Sequence, residues 1–163
     1  MGGNQNGFTL IELLVVVAII GVLAAVGVIA FNGFLNKSKE NSAKSQHKTV
    51  VKYMQVQFTK CSIGETSLTY RKPEWNGSAW VEVEVNELCE SSADNHAKKF
   101  DDHFEAEGFK SPFNTGMRAV ERHHQPANPT RAGQIYIYCP LENKCEVRTK
   151  INDSLWLKDT VSK

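Results

Sequence analysis

The feature that most constrains this chain is an uninterrupted apolar run near its N-terminus. The nineteen residues from Leu13 to Phe31 contain no charge and no strongly polar side chain. As an α-helix with a rise of about 1.5 Å per residue, the run would be about 28 Å long, close to the roughly 30 Å hydrocarbon core of a bilayer. A helix of a soluble core seldom stays apolar on every face over that length. The run therefore predicts a membrane-inserted helix or a secretion signal.

A cleavable secretion signal is the alternative that the residues leave open. Such a signal has a positively charged segment before its apolar run and a small-x-small cleavage site after it. Residues 1–7 hold no lysine or arginine, which argues against this alternative, whereas Val28-Ile29-Ala30 would serve as a cleavage site. Under this alternative the product is a secreted or membrane-tethered binding module.

Charge is distributed along the chain in three blocks. Only Glu12 is charged in residues 1–36, residues 37–60 contain six lysines and one glutamate, and residues 61–163 contain 13 basic and 16 acidic residues. The net charge of +1 therefore combines an apolar anchor, a basic stem and a mildly acidic head. The stem is either a solvated helix face or a surface that attracts the head of a neighbouring subunit. The near-neutral total argues against a dedicated nucleic-acid-binding protein.

A lone carboxylate, Glu12, stands at the start of the apolar run. An ionised carboxylate in lipid costs several kcal/mol unless it has a partner, so its presence calls for a function. The simpler alternative is a helix-start acid at the level of the lipid headgroups. The helix dipole and the free amide groups of the first turn would favour a negative charge there.

The residues around Glu12 resemble a known processing signal. The string is Gly7-Phe8-Thr9-Leu10-Ile11-Glu12-Leu13, followed directly by the apolar run. It is similar to the prepilin signature of type IV pilins and of the pseudopilins of type II secretion. In that family a membrane peptidase cuts after the glycine, the new N-terminal residue is methylated, and the subunits assemble into a helical filament. The resemblance implies a leader at residues 1–7, cleavage between Gly7 and Phe8, and N-methylation of Phe8.

The resemblance also supplies a partner for Glu12. Cleavage would create a positively charged amine on Phe8, and this amine could pair with the Glu12 carboxylate of an adjacent subunit in the apolar centre of a filament. Each ion is costly to bury alone, so the pair would also set the axial register of the filament. We therefore predict that Phe8 and Glu12 are assembly residues.

Some features depart from the family pattern. The leader lacks lysine and arginine, and the apolar helix lacks proline, so Gly27 and Gly33 are the expected weak points of the helix. The alternative is that Gly21, Ala25 and Gly27 are small residues that allow close packing of helices. By the positive-inside rule alone, Lys37 and Lys39 would place the head in the cytoplasm. The processing motif implies the opposite orientation. We expect a single-pass inner-membrane precursor with its head outside the cytoplasm, and a cell-surface pilus after assembly.

The chain as a whole predicts an α+β fold, with a long N-terminal helix packed on a small antiparallel β-sheet head. The helix is expected over residues 8–60, with 8–33 in the membrane or filament core and 34–60 as an amphipathic stem. The globular α/β head follows at 61–163, and His47 is expected to be a structural histidine at its boundary with the stem. The apolar face of the stem follows a helical period at Ala43, Val50, Val51, Met54 and Phe58.

The head contains signals for two hairpins and a helix. Asn76-Gly77 is a strong turn dipeptide and predicts a hairpin from residues 67–72 and 79–85. A second hairpin is expected from residues 134–139 and 145–151. Between the hairpins, a short amphipathic helix is expected over 93–107, followed by a long ordered loop over 108–133.

Individual side chains of the head carry further expectations. The short helix would bury Ala93, Ala97, Phe100 and Phe104, and leave His96 and His103 on a solvated face. Leu155, Trp156 and Leu157 would tuck the C-terminus onto the core. Trp75 and Trp80 are expected as core residues or a hairpin pair, with contact to DNA or a surface as the alternative.

The head holds all four cysteines of the chain, namely Cys61, Cys89, Cys139 and Cys145. An exported head favours disulfides, of which Cys139–Cys145 would close a small loop and Cys61–Cys89 would tie the end of the stem to the head. Four cysteines permit three pairings, so the connectivity stays open. The lack of a Cys-x-x-Cys pair argues against a metal site.

No motif for enzymatic chemistry is present in the sequence. Nucleophile elbows, phosphate-binding glycine loops, His-Glu-x-x-His and dinucleotide fingerprints are all missing. We therefore expect a structural protein with no enzymatic activity, no cofactor and no metal.

The expected function is that of a subunit of a type IV pilus-like filament. A type II secretion pseudopilin and a minor or competence (DNA-uptake) pilin stay open as alternatives, as do adhesion, motility and secretion as the role of the filament. The resemblance implies that the chain partners itself in a helical homopolymer. It also implies a prepilin peptidase, an assembly platform and a motor ATPase.

Overall fold

A computed structural model describes residues 7–141 and 143–163, so residues 1–6 of the expected leader lie outside the described residues. The chain forms two compact units, of which the second begins at Lys39. The helices are α1 (Leu10–Ser62) and α2 (Ala93–Ala106). The strands are β1 (Ser67–Trp75), β2 (Trp80–Leu88), β3 (Lys110–Ser111), β4 (Asn114–Arg118), β5 (Val120–His123), β6 (Ile135–Leu141), β7 (Lys144–Lys150) and β8 (Trp156–Ser162).

Helix α1 changes character where the second unit begins. Every described residue of the first unit, residues 7–38, is exposed, including the whole apolar run. Within the second unit, the helix buries a stripe that recurs every three or four residues and so faces one side. The stripe consists of Ala43, His47, Val50, Met54, Gln57 and Phe58.

The second unit is built around one apolar core between α1, α2 and the strands. Phe100 of α2 is fully buried and makes edge contacts with the rings of Tyr53, Phe58 and Tyr70. Helix α2 begins where the Ser92 side chain accepts a hydrogen bond from the backbone N–H of Asn95, a standard N-cap. Its predicted buried side chains, Ala93, Ala97, Phe100 and Phe104, all lie in the core.

The first predicted hairpin is confirmed by the antiparallel pair of β1 and β2. Its turn contains Gly77 at a φ of 97°, a conformation that favours glycine, and the Asn76 side chain accepts hydrogen bonds from the backbone N–H groups of Ser78 and Ala79. At the end of the hairpin, Trp75 and Trp80 pack edge to face but stay exposed. Of the two expected arrangements, core residues or a hairpin pair, they therefore form the hairpin pair.

The second predicted hairpin is confirmed as β6 and β7, within a four-stranded sheet in the order β5-β6-β7-β8. The sheet is not purely antiparallel, because β5 pairs with β6 in parallel. The C-terminal segment adds β8 as an edge strand. Leu155 and Leu157 are half-buried, whereas Trp156 is exposed with the Lys150 ammonium over its ring, so Trp156 does not tuck onto the core as expected.

The expectation of a long loop over 108–133 is wrong. This segment contains β3, β4 and β5, which are only two, five and four residues long. Strands that short are stabilised by their partners and not by an alternating pattern of their own, so their polar residues predict a loop.

The expected solvated position of His96 is also wrong. Its side chain is fully buried, and its Nδ1 lies 3.0 Å from the Tyr70 hydroxyl. His103 is half-buried and stacks on the ring of Tyr53. Both histidines therefore belong to the interior side of α2 and not to its solvent face.

Candidate assembly site

Helix α1 starts with a reciprocal set of hydrogen bonds between Thr9 and Glu12. A Glu12 carboxylate oxygen accepts from the Thr9 backbone N–H at 2.7 Å and from the Thr9 hydroxyl at 2.8 Å. In return, the Thr9 hydroxyl oxygen accepts from the Glu12 backbone N–H at 3.3 Å. The Thr9 carbonyl accepts the first helical bond, from Leu13. This arrangement is a capping box, with Thr9 as the N-cap and Glu12 three residues later.

The capping box gives Glu12 partners within its own chain. Both Glu12 and Phe8 are exposed, and Phe8 is 87% exposed. An ionised carboxylate offers about four lone-pair positions, so a carboxylate bound by Thr9 can still accept a further donor from outside. In this chain the Phe8 nitrogen belongs to the peptide bond with Gly7, so the pairing of a free Phe8 amine with Glu12 stays a prediction.

Thr9 is the residue of this site that the sequence analysis did not single out. The signal was present, because a threonine followed three residues later by a glutamate just before an apolar run is the sequence pattern of a capping box. The helix dipole and the expected Phe8 amine both account for the charge of Glu12, but neither identifies Thr9 as the side chain that binds it.

The apolar surface behind the capping box is long enough to cross a membrane. Among the described residues one helix, α1, meets this condition of length and composition. Its large apolar side chains between residues 10 and 35 are all exposed, so nothing else in the described chain covers them. The sequence-predicted assembly residues Phe8 and Glu12 therefore stand at the head of an uncovered apolar helix.

The cysteines lie in the second unit and form two disulfides, Cys61–Cys89 and Cys139–Cys145. Of the three pairings that the sequence permits, the structure has the one that joins the end of α1 to the residue after β2 and closes the β6–β7 turn. These bonds belong to the scaffold of the head and are not part of the assembly site.

His47 fastens α1 to the four-stranded sheet in the second unit. Its ring is buried, with Nδ1 2.8 Å from the Thr149 hydroxyl on β7 and Nε2 2.8 Å from an Asp159 carboxylate oxygen on β8. This confirms the prediction of a structural histidine.

A second buried histidine, His96, lies in the core beside Tyr70. Burial lowers the pKa of His96 and raises the pKa of Tyr70, its hydrogen-bond partner.

The described residues contain no group of three or more histidine, cysteine, aspartate or glutamate side chains that could hold a metal ion. The cavities on the second unit are open and shallow, and two of them lie along the exposed face of α1 beside Lys52 and Val56.

Comparison with known proteins bears on the N-terminal segment most directly. Residues 2–28 match the family described as the prokaryotic N-terminal methylation motif. The chain is 37% identical over 94 residues to the type IV major alpha-pilin of Moraxella bovis, a match that covers 48% of this chain and 59% of that protein. No solved structure matches the chain significantly.

Two further relatives match over shorter stretches. The type IV major pilin protein PilA of Myxococcus xanthus is 52% identical over 47 residues, 29% of this chain and 21% of that protein. The type IV major fimbrial protein FimA of Dichelobacter nodosus is 57% identical over 39 residues, 24% of each chain. The chain therefore matches less than two thirds of the length of each of these relatives.

The fold and the site define a chain with a capped, apolar, prepilin-type N-terminal helix continuing into a disulfide-bonded α+β head. Its resemblance to type IV pilins is confirmed by the methylation motif and by relatives named as major pilins and fimbrial proteins.

Proposed function

We propose that this chain is the structural subunit of a type IV pilus-like filament, processed between Gly7 and Phe8 and assembled through its N-terminal helix. The observation that carries the proposal is the exposed apolar helix of residues 10–35, headed by the capped Glu12 inside a methylation motif. Relatives named as major pilins and fimbrial proteins support a pilus subunit over a secretion pseudopilin.

The apolar surface of the exposed helix must be shielded from water both before and after assembly. Large apolar side chains along the whole surface of a helix are unfavourable in water, at about 25 cal/mol per Å² of apolar area. Lipid covers them in the precursor, which is a single-pass inner-membrane protein with its head outside the cytoplasm. The same helices of other copies cover them in the filament, where packing replaces lipid contact. The subunit therefore moves from membrane to filament without exposing the helix to water.

Glu12 has a different role before and after cleavage in this proposal. Before cleavage, Thr9 binds its carboxylate and begins the helix. After cleavage by a prepilin peptidase, the N-methylated amine of Phe8 on a neighbouring copy becomes a second partner. A carboxylate already bound by two donors has its remaining lone pairs free for that amine, so the cap and the intersubunit pair are compatible.

The proposal excludes an enzymatic role for the chain itself. The resemblance to type IV pilins implies a platform protein and a motor ATPase as further partners in assembly. The filament then presents the head at the cell surface.

The test separates the charge of Glu12 from its capping role. Glu12→Gln keeps a side chain that can cap but removes the charge, Glu12→Leu removes both, and Thr9→Ala removes the cap while keeping the charge. We expect both Glu12 variants to be cleaved and membrane-inserted yet to give few surface filaments, and Thr9→Ala to assemble.

The readout is the processed subunit in the membrane and in the fraction sheared from cells. Glu65→Gln, an exposed acid beyond the end of α1, is the matched control and should assemble normally. Normal filaments from Glu12→Gln would show that the charge of Glu12 is not needed, and would contradict the proposed pairing.

A further inference from the structure

The side of α1 opposite its buried stripe carries three exposed lysines. Lys48, Lys52 and Lys60 are exposed, and no carboxylate of the described residues lies within ion-pairing distance of any of them. Val56, 45% exposed, lies among them, and Ile63 follows just beyond the helix end. This cationic stripe combines three exposed lysines with two exposed apolar side chains, so a partner surface that offers carboxylates and an apolar side chain would be complementary to it.

Strand β2 presents an acidic and aromatic row on its exposed side. Trp80, Glu82 and Glu84 alternate with half-buried valines, so all three project from one face. Trp80 is 70% exposed. The cation next to this row is Arg71, whose Nη1 lies 3.1 Å from Oε1 of Glu107 and 3.8 Å from Oε2 of Glu82. Glu84 has no ion-pair partner among the described residues.

The two rows have nearly the same spacing. Residues four apart on a helix are about 6 Å apart along its axis, and residues two apart on a strand are about 6.8 Å apart. The row of Lys48, Lys52 and Val56 on the helix can therefore lie against the β2 row in register, so that each side chain of one row faces one side chain of the other. Each contact of such a register joins opposite charges or two apolar groups.

We propose that the β2 row of one copy of this chain docks on the exposed cationic stripe of α1, opposite the buried stripe, on a second copy. Glu84 then faces Lys48, Glu82 faces Lys52, and Trp80 covers Val56. The inference rests on the proposed filament, and adds which surfaces of the head meet in it. A surface that pairs with a different surface on the next copy is heterologous, and it generates an open helical assembly when its rotation does not close into a ring, so it is compatible with a filament.

Charge reversal in matched pairs tests the docking. The first variant combines Lys48→Glu with Lys52→Glu, and the second combines Glu82→Lys with Glu84→Lys. We expect each alone to reduce the filaments sheared from cells about tenfold, because like charges meet at the contact. Lys98→Glu, a single reversal of the same kind at an exposed position of α2, is the control and should assemble normally.

Co-expression of the two variants in one cell identifies the partner. Each variant then offers the other a complementary surface in both directions, so mixed filaments should return to near the wild-type amount. A contact within one chain would not be rescued by a second copy, and lack of rescue would overturn the proposal.

Two further results would separate a failure of the docking proposal from a failure of the proposed function. If the lysine variant assembles normally but loses salt-sensitive retention of duplex DNA, the stripe binds nucleic acid and the docking proposal is wrong. If the wild-type chain gives no filaments with a processed Phe8, the proposed function itself fails. Thermal unfolding of each variant in detergent checks that the head is folded before its assembly is scored.

Discussion

The two units of this chain differ in whether their apolar side chains are exposed or buried. In residues 7–38 every described side chain is exposed, although the segment is the most apolar part of the sequence. In residues 39–163 most of the apolar side chains converge on one core, and the unit contains both disulfides. The second unit is therefore stabilised from within, whereas the first depends on what surrounds it. Stability of the head and assembly of the helix should respond to different mutations.

The largest expected difference comes from removing one phenylalanine in each unit. Phe100→Ala empties the centre of the core and should lower the free energy of unfolding by about 3–5 kcal/mol. Phe31→Ala, at a position that is 58% exposed, should leave it unchanged. The measurement is denaturant unfolding of the full chain in detergent by tryptophan fluorescence, since all three tryptophans lie in the second unit. Equal effects would mean that the units are not independent.

The two disulfides should differ in the stability they contribute. Cys61–Cys89 spans 28 residues and Cys139–Cys145 spans six. By loop entropy, replacing the first pair with serines should cost about 3.5 kcal/mol and replacing the second about 2 kcal/mol. The same unfolding assay gives both values. A larger loss from the shorter loop would contradict the entropic explanation.

The pH dependence of the core offers a finer test. Burial lowers the pKa of His96 below its usual 6.5, so the unfolded chain takes up a proton first and stability falls as the pH drops through that value. Burial raises the pKa of Asp101 to about 6, which acts in the opposite sense, so the effect of His96 must be isolated by mutation. His96→Gln should destabilise the head more at pH 7 than at pH 5. Equal destabilisation at both values would show that His96 does not titrate on unfolding.

The smallest expected effect is at the end of the first hairpin. Trp80 is exposed and contacts Trp75, so Trp80→Ala should cost only about 0.5–1 kcal/mol of stability. The proposed docking instead requires the same change to reduce filament assembly clearly. Comparing the melting temperature with the sheared fraction separates these roles, and a loss of several kcal/mol would place Trp80 among the residues that hold the head together.

Local patterns explain what could be predicted from the sequence. The end of α1, the first hairpin and the buried face of α2 follow from side-chain periodicity and from Asn76-Gly77, and all agree with the structure. The resemblance placed the assembly residues at the helix start. The Thr9–Glu12 cap was also predictable, because its pattern lies within four residues.

Non-local pairing explains what could not be predicted. Strands β3 to β5 are too short and polar to show a period, and the parallel pairing of β5 with β6 depends on a chain crossover. His96 is a different case, because it lies three residues after Ala93 and four before Phe100, on the face that the period marks as buried. The prediction of a solvated His96 follows from its polar side chain and neglects this position. The hydrogen bond with Tyr70 allows the polar ring to be buried.

The most direct test of the account is mass spectrometry of the N-terminus of protein sheared from the cell surface. The account predicts a chain that begins at Phe8, with a methyl group on its amine. A chain that begins near Phe31 would mean that residues 1–30 are an ordinary secretion signal. In that case Glu12 and the exposed helix would have no part in the mature protein.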